Sequence, residues 1–219
     1  MPAEGALRDG TAASFELIET LRWEPETDFL RLDRHLQRLY ASAHTLSFRA
    51  DPDAIGEALR ECQGERVPLR VRLTLTHDGK ANGTTAPFEP LPTEAVWRLR
   101  IARTRLDADD PLIRHKTTCR IAYEAARAEF SREEADEVLL LNERGEVCEG
   151  TITNAFIDIG EPVLVTPALT SGLLPGILRG SLVEQVTARE AVLTEADLRA
   201  AKAIYVGNSL RGLIKARLA

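Results

Sequence analysis

Three short stretches of the chain carry side chains that could do chemistry together. Lys116 supplies an amine within His-Lys-Thr-Thr, and Glu149 supplies a carboxylate within Glu-Gly, ahead of Asn154-Ala-Phe. Residues 174–177, Leu-Pro-Gly-Ile, are typical of a helix start, where unpaired backbone N–H groups and the positive end of the dipole attract anions. An amine, a carboxylate and an anion site could together hold an aromatic phosphate cofactor.

Taken singly, the amine and the carboxylate each have an ordinary interpretation. Most lysines are solvated surface residues, and a carboxylate at the base of an apolar strand usually lies at a solvated edge. A catalytic amine must lose its proton before it attacks an aldehyde, so it needs partial burial or cationic neighbours. Arg114 and Arg120 are candidate neighbours of Lys116. The residues alone leave both roles open.

Taken in order, the motifs resemble those of the fold-type IV pyridoxal-phosphate enzymes, the class IV aminotransferase and aminodeoxychorismate lyase family. The similarity runs from about residue 15 to residue 216. It implies pyridoxal 5′-phosphate as cofactor and Lys116 as the catalytic residue that bonds to it. It also implies that Glu149 faces the pyridine nitrogen and keeps it protonated, which makes the ring a better electron sink. Asn154 belongs to the same motif.

The resemblance also implies a phosphate site in three parts. Arg38, in His-Leu-Gln-Arg-Leu, resembles the family's phosphate-binding arginine, although by itself it would be a solvated helix residue. Ile177 and Leu178 would donate backbone N–H groups, while branched-chain transaminases have a threonine where this chain has Leu178. Ser209, in Gly-Asn-Ser-Leu-Arg-Gly, lies where relatives place a phosphate-binding hydroxyl.

Within this family, two features favour the lyase branch. Arg120 stands four residues after Lys116, as in aminodeoxychorismate lyases, whereas branched-chain transaminases usually carry a tyrosine at the position of Ile121. The stretches FELIETLRW, LDRHLQRLYASAHTLSF, GLLPGILRG and GNSLRGL resemble the lyase domain fused to aminodeoxychorismate synthase component I. We therefore expect a 4-amino-4-deoxychorismate lyase of folate biosynthesis, which releases pyruvate and 4-aminobenzoate, with a separate aminodeoxychorismate synthase supplying the substrate.

Two other functions stay open. One is a class IV transaminase with a branched-chain or D-amino acid donor, and the other is a binding protein without catalysis, which the intact Lys116 and Glu149 disfavour. In either enzyme, Arg72 and Arg120 are candidates for binding a substrate carboxylate. Relatives are homodimers, so the resemblance implies a homodimer here.

Composition and residue spacing narrow the classes of function that remain. The net charge of −6 over 219 residues disfavours a nucleic-acid or acidic-membrane partner. The four histidines and three cysteines lack the spacing of metal ligands, so we expect no metal site. No apolar run approaches the ~20 residues of a membrane helix, and the first 14 residues lack the pattern of a signal peptide. A cytoplasmic location is expected.

Apolar periodicity and turn residues predict an α+β fold. The predicted strands cover residues 15–23, 29–32, 69–76, 96–102, 138–142, 151–159, 163–165 and 203–206. The predicted helices cover residues 34–46, 51–64, 121–130 and 176–187, with Asp33 as the predicted N-cap of the first and a capping-box start at 194–197. Residues 1–14 are expected to be partly disordered, and residues 77–92 to form a loop.

These elements predict two domains of unequal size. Residues 1–105 would form a smaller N-terminal lobe with antiparallel strands, and residues 115–219 a larger C-terminal lobe of mixed β structure with helices. Residues 106–114 would connect them. The resemblance implies that the cofactor binds to the C-terminal lobe.

Overall fold

The computed structural model describes residues 15–64 and 66–219, which form a mixed α/β structure with two sheets. The predicted fold class is confirmed. The predicted disorder of residues 1–14 lies outside the described residues. The strands are β1 Leu17–Glu24, β2 Asp28–Phe29, β3 Leu69–Leu75, β4 Ala81–Pro87, β5 Val96–Leu106, β6 Glu137–Asn142, β7 Val147–Gly150, β8 Asn154–Asp158, β9 Leu164–Pro167, β10 Ala188–Ala191, β11 Ala203–Asn208 and β12 Gly212–Leu218. The helices are α1 Leu32–Thr45, α2 Pro52–Glu61, α3 Ile121–Ala128, α4 Ile177–Glu184 and α5 Glu195–Ala200, with a short 3₁₀ turn at Leu169–Ser171.

The first sheet is antiparallel, with strand order β2-β1-β3-β4. Alternate residues of β1 and β3 join one apolar cluster with residues of α1 and α2, because successive side chains of a strand point to opposite faces. Leu21, Val71 and Leu39 are among the buried members of that cluster. The other face of the sheet carries Thr20 and Arg72, which are paired in register.

Two predictions for this first lobe are wrong. Residues 77–92 are not one loop, because β4 pairs with the whole length of β3. As an edge strand, β4 can be polar and can end in a proline, so its composition hides it. Asp33 is not the N-cap of α1, since the helix begins at Leu32 and Arg31 occupies the N-cap with φ 57°. Asp33 instead lies in the first turn, where a carboxylate favours the helix dipole.

The second sheet has the order β10-β9-β8-β11-β12-β5-β6-β7. An additional pairing of β7 with β8 closes six of these strands into a ring, β8-β11-β12-β5-β6-β7. The closing pair is Glu149 with Asn154, two of the candidate site residues. The ring therefore closes through two polar candidate residues rather than through an apolar pair.

Strand β5 was predicted to pair with antiparallel strands of the N-terminal lobe, and this pairing is wrong. It pairs in parallel with β12 on one side and β6 on the other, within the second sheet. Parallel partners lie far away in sequence, so local patterns do not reveal them. The division of the chain at residues 106–114 stays a prediction. The capping box at residues 194–197 is confirmed.

Candidate active site

A cavity of about 320 Å³ contains most of the residues that the sequence singled out. Eight of the nine candidates line it, namely Arg38, Arg72, Lys116, Arg120, Glu149, Asn154, Ile177 and Ser209. Leu178 does not line the cavity, and its side chain is buried. Strands of both sheets and residues of the three helices α1, α3 and α4 line this cavity. The individual roles of these residues stay predictions.

Lys116 lies in the segment between β5 and α3, and this segment is held against β1. The Ile18 N–H donates to the Lys116 carbonyl oxygen at 2.9 Å, and the Thr118 N–H donates to the Glu16 carbonyl oxygen at 2.9 Å. Burial, followed by the charge of Arg38, lowers the pKa of Lys116 to about 8. Among the described residues, none forms an ion pair with its Nζ. The amine is therefore free of an ion pair in the described part of the chain, and it loses its proton more readily than a solvated lysine.

Glu149 is buried and receives hydrogen bonds from uncharged donors. The Tyr123 hydroxyl donates to its Oε1 at 2.7 Å, and the Leu174 N–H donates to the same oxygen at 3.0 Å. The Asn154 amide lies 3.4 Å from Oε2. Burial raises the pKa of Glu149 to about 7, although these donors and the charge of Lys116 act in the other direction.

A tight turn between β7 and β8 fixes the position of Glu149. The buried carboxylate of Glu137 accepts hydrogen bonds from the hydroxyls of Thr151 and Thr153 at 2.6 and 2.9 Å. Gly150 is required here, because a Cβ would lie 2.5 Å from the Thr153 hydroxyl and 2.9 Å from the Glu137 carboxyl group. The Glu-Gly motif thus combines the candidate carboxylate of Glu149 with a glycine small enough to pack beside the carboxylate of Glu137.

A buried polar network lies at another part of the cavity. The Arg38 guanidinium donates to both carboxylate oxygens of Glu19, at 2.8 and 2.6 Å. His35 joins Glu19 to Ser209, with Nδ1 lying 2.7 Å from Glu19 Oε2 and Nε2 lying 2.9 Å from Ser209 Oγ. Burial would raise the pKa of Glu19, but the charge of Arg38 and the hydrogen bonds outweigh it and lower the pKa to about 2. The network fixes a cation and a hydroxyl side by side.

The start of α4 reaches this network through the preceding loop. Arg38 donates to the Pro175 carbonyl oxygen at 3.2 Å, and Asn154 donates to the Leu174 carbonyl oxygen at 3.1 Å. Gly176 is the N-cap residue, and no side chain caps the helix. A Cβ at Gly176 would collide with the Asn154 side-chain oxygen, so only glycine fits. The first backbone N–H groups of α4 remain available for an anion.

The family is established by comparison with known proteins. The family described as amino-transferase class IV matches residues 16–218. The chain belongs to this family. It is 31% identical over 206 residues to a Schizosaccharomyces pombe protein provisionally named an aminodeoxychorismate lyase, an alignment that covers 91% of this chain and 87% of the relative.

Solved structures of two other members are also similar. A Mesorhizobium loti protein, provisionally named an amino-acid aminotransferase, is 55% identical with a TM-score of 0.92, over 94% of this chain and 100% of that one. The 4-amino-4-deoxychorismate lyase of Pseudomonas aeruginosa is 28% identical with a TM-score of 0.79, over 100% of this chain and 88% of that one. The comparisons therefore include both branches of the class IV family.

Class IV enzymes depend on pyridoxal 5′-phosphate, as predicted, and the donor set of the cavity fits this group. Arg38, Ser209 and the N–H groups at Ile177 suit a phosphate. The Lys116 amine suits an aldehyde, and the Glu149 carboxylate suits a ring nitrogen. Each chemical part of the cofactor has a matching group in the cavity.

Three polar residues of this class IV site were missed from the sequence. Glu19 occupies a buried position of β1 between Leu17 and Leu21, and a carboxylate on an apolar face was the available signal. Tyr123 and Glu137 had no such signal, because their importance depends on contacts with Glu149 and with the turn after it. No metal-ligand cluster is found in residues 15–64 and 66–219. None of the described helices is long and apolar enough to cross a membrane.

Proposed function

We propose that the protein is a 4-amino-4-deoxychorismate lyase, which converts its substrate to pyruvate and 4-aminobenzoate. The observation that carries this proposal is the position of Arg120, which lines the cavity in the same segment as Lys116. Its guanidinium stacks on the Tyr123 ring, 4.7 Å from the centroid, and donates to the Thr151 carbonyl oxygen. A fixed cation beside the reacting amine suits a substrate that carries a carboxylate next to its scissile bond.

In this proposal, the residues divide the work of binding and proton transfer. Arg38, Ser209 and the start of α4 hold the phosphate of the cofactor, and Glu149 holds the ring. When bound, pyridoxal 5′-phosphate supplies an electron sink for the carbanion at the substrate carbon. Lys116 takes the proton from the ring carbon that bears the amine, and the C–O bond to the enolpyruvyl group breaks.

The departing pyruvate then takes up a proton from Lys116 or a nearby acid, so that protons and electrons balance without water or a second substrate. Aromatisation of the ring supplies the driving force. Arg72 and Arg120 are proposed to orient the substrate through its carboxylates. An amine with a pKa near 8 suits this role, because a general base works best with a pKa near the working pH.

The test is to incubate the holoenzyme with aminodeoxychorismate and to measure 4-aminobenzoate and pyruvate. We expect both products in equal amounts, and the Lys116→Ala variant should lose turnover by at least about 10²-fold, the loss typical of removing a general base. An absence of product from wild-type protein that carries its cofactor would reject the proposal.

The second candidate is an amino-acid transaminase with a branched-chain or D-amino acid donor. It is favoured by the similarity to the Mesorhizobium loti protein. A transaminase should change the visible absorbance of its cofactor when an amino acid alone is added, whereas a lyase should change it little. A panel of L- and D-amino acids therefore separates the two candidates.

The proposal includes a cytoplasmic homodimer that receives its substrate from a separate aminodeoxychorismate synthase. This follows from what class IV relatives do. Light scattering of the purified protein tests the dimer. Coupled turnover of chorismate and glutamine in the presence of a synthase tests the supply of substrate.

A further inference from the structure

Two arginines at the cavity, Arg70 and Arg211, have no role in the machinery described so far, and they share the cavity with Arg72, which is proposed to orient the substrate. Arg70 and Arg72 lie two residues apart on β3, so both side chains lie on the face of the first sheet that does not pack against α1. Arg211 follows β11 in the turn that begins at Asn208. All three line the same cavity as Lys116.

In the described part of the chain, these three guanidinium groups have no ion-pair partner. Among residues 15–64 and 66–219, none of them forms an ion pair or a side-chain hydrogen bond, whereas Arg38 in the same cavity is paired with Glu19. Burial and then the charge of Arg70 lower the pKa of Arg211, while the charge of Glu137, whose carboxylate accepts from Thr151 and Thr153, acts in the other direction. Like charges held together without a counterion favour an anionic ligand.

A second, smaller cavity of about 160 Å³ lies against Arg70 and Arg72. Its lining consists of Arg70 and Arg72 together with Thr20, Thr84, Thr85 and Ala86. The lining offers guanidinium and hydroxyl donors and contains no carboxylate. We call Arg70, Arg72 and Arg211 the arginine cluster. Its setting has the chemistry of a carboxylate site.

Arg120 lies in the same segment as Lys116, whereas the arginine cluster comes from β3 and from the turn after β11. Arg38 and Arg120 both lower the pKa of Lys116 through their charges, while no member of the cluster has a comparable influence. The proposed substrate has two carboxylates, since one leaves in pyruvate and one remains in 4-aminobenzoate. The one that remains is on the ring carbon opposite the amine, and so it is the more distant from Lys116.

We propose that the arginine cluster binds the carboxylate that remains on the aromatic product, while Arg120 binds the carboxylate that leaves as pyruvate. This inference rests on the proposed function and assigns Arg70 and Arg211 to substrate recognition. It also explains selectivity between the two branches of the family. A branched-chain amino acid has no second carboxylate, so it leaves the cluster without a counterion.

The first experiment measures binding to the holoenzyme without catalysis. The probes are 4-aminobenzoate and 4-aminobenzamide, which have the same shape but differ in the charge opposite the amine. Wild type should bind the carboxylate roughly ten-fold or more tightly than the amide, the effect of a charge-assisted hydrogen bond. Arg70→Gln and Arg211→Gln should each reduce this preference, and the double variant, which keeps Arg72, should reduce it further. Arg217→Gln, an exposed residue of β12 outside the cavity, is the matched control.

The second experiment measures turnover of aminodeoxychorismate by the same variants. We expect KM to rise roughly ten-fold with kcat almost unchanged, because the cluster binds a part of the substrate that does not react. Thermal melting and cofactor absorbance confirm that each variant is folded and loaded.

The outcomes separate this inference from the proposed function. If wild type turns over but the cluster variants match Arg217→Gln in both experiments, the inference is wrong and the lyase assignment stands. If wild type does not turn over but prefers the carboxylate through these arginines, the lyase assignment is wrong and the carboxylate site stands. If wild type shows no preference between the two probes, the carboxylate site is rejected.

Discussion

Two buried glutamates of the active site have opposite pKa shifts. Glu19, in the first sheet, is 1% exposed and its pKa is lowered to about 2. Glu149, in the second sheet, is 4% exposed and its pKa is raised to about 7. The two carboxylates are buried to the same degree, so burial alone does not explain the difference.

The charge of the hydrogen-bond donors explains it. Glu19 accepts two hydrogen bonds from the cation Arg38, whereas Glu149 accepts from the neutral hydroxyl of Tyr123 and the backbone of Leu174. A neighbouring opposite charge stabilises the ionised form far more than a neutral donor does. Glu19 is therefore a permanent anion that fixes Arg38, while Glu149 can exchange a proton near neutral pH.

The largest effect on stability should come from removing the charge of Glu19, which is paired with Arg38. Glu19→Gln leaves Arg38 buried without its counterion, so we expect the apoprotein to lose about 3–5 kcal/mol of unfolding free energy at pH 7, measured in urea. Glu184→Gln is the matched control, since it breaks the exposed pair with Arg34 and should cost no more than about 1 kcal/mol.

The pH dependence of this loss is a second check. Because the folded-state pKa of Glu19 is depressed, its contribution is fully present above the unfolded pKa near 4.5 and is lost as pH falls toward 2. The difference in unfolding free energy between wild type and Glu19→Gln should therefore become smaller as the pH falls from about 4.5 toward 2. Equal losses for Glu19→Gln and Glu184→Gln at pH 7 would show that the ion pair does not stabilise the fold.

Glu149→Gln should give a smaller effect with the reverse pH dependence. The folded-state pKa of Glu149 is raised, so ionisation costs stability in wild type as pH rises from about 4.5 to 7. The glutamine variant escapes this cost and should gain about 3 kcal/mol relative to wild type between pH 4.5 and pH 8, since one pKa unit corresponds to 1.36 kcal/mol. Urea unfolding of both apoproteins at the two pH values measures the gain, and a pH-independent difference would contradict it.

The same two glutamates show what the sequence can predict. Lys116, Glu149 and the Gly176 helix start each lie in a short motif, and the resemblance of these motifs to the class IV family drew attention to them, while the residues alone left the roles of Lys116 and Glu149 open. Glu19 is recognised only through α1, which brings Arg38 against it from 19 residues away. Long-range pairing of this kind leaves little trace in a local pattern.

The strands follow the same rule. Strand β6 is buried throughout and its sequence is a mostly apolar run, so its bounds were predicted to within one residue. Strand β4 is an exposed edge, and its sequence Ala-Asn-Gly-Thr-Thr-Ala-Pro reads as a loop. The parallel partners of β5 depend on strands more than thirty residues away.

Tyr123→Phe tests the neutral hydrogen bond that Glu149 accepts. The variant removes the hydrogen bond to the ionised form of Glu149, so the pKa of Glu149 should rise further, by about one unit or 1.4 kcal/mol. The acid limb of the pH–activity profile should move up by the same amount. Tyr205→Phe, which lies outside the cavity, should leave the limb in place. An unchanged limb in Tyr123→Phe would show that this hydroxyl does not tune Glu149.

The smallest effect concerns the amine that both glutamates influence. With a pKa of about 8, Lys116 should make cofactor uptake by the apoprotein faster as pH rises, with a plateau above about pH 8 rather than near 10.5. The charge of Glu19 raises the pKa of Lys116 more than the charge of Glu149 does. Glu19→Gln should therefore lower the midpoint by less than about one pH unit, and Glu149→Gln should lower it by less still. Stopped-flow absorbance measures these midpoints, and a larger shift in Glu149→Gln would reverse the order of the two carboxylates.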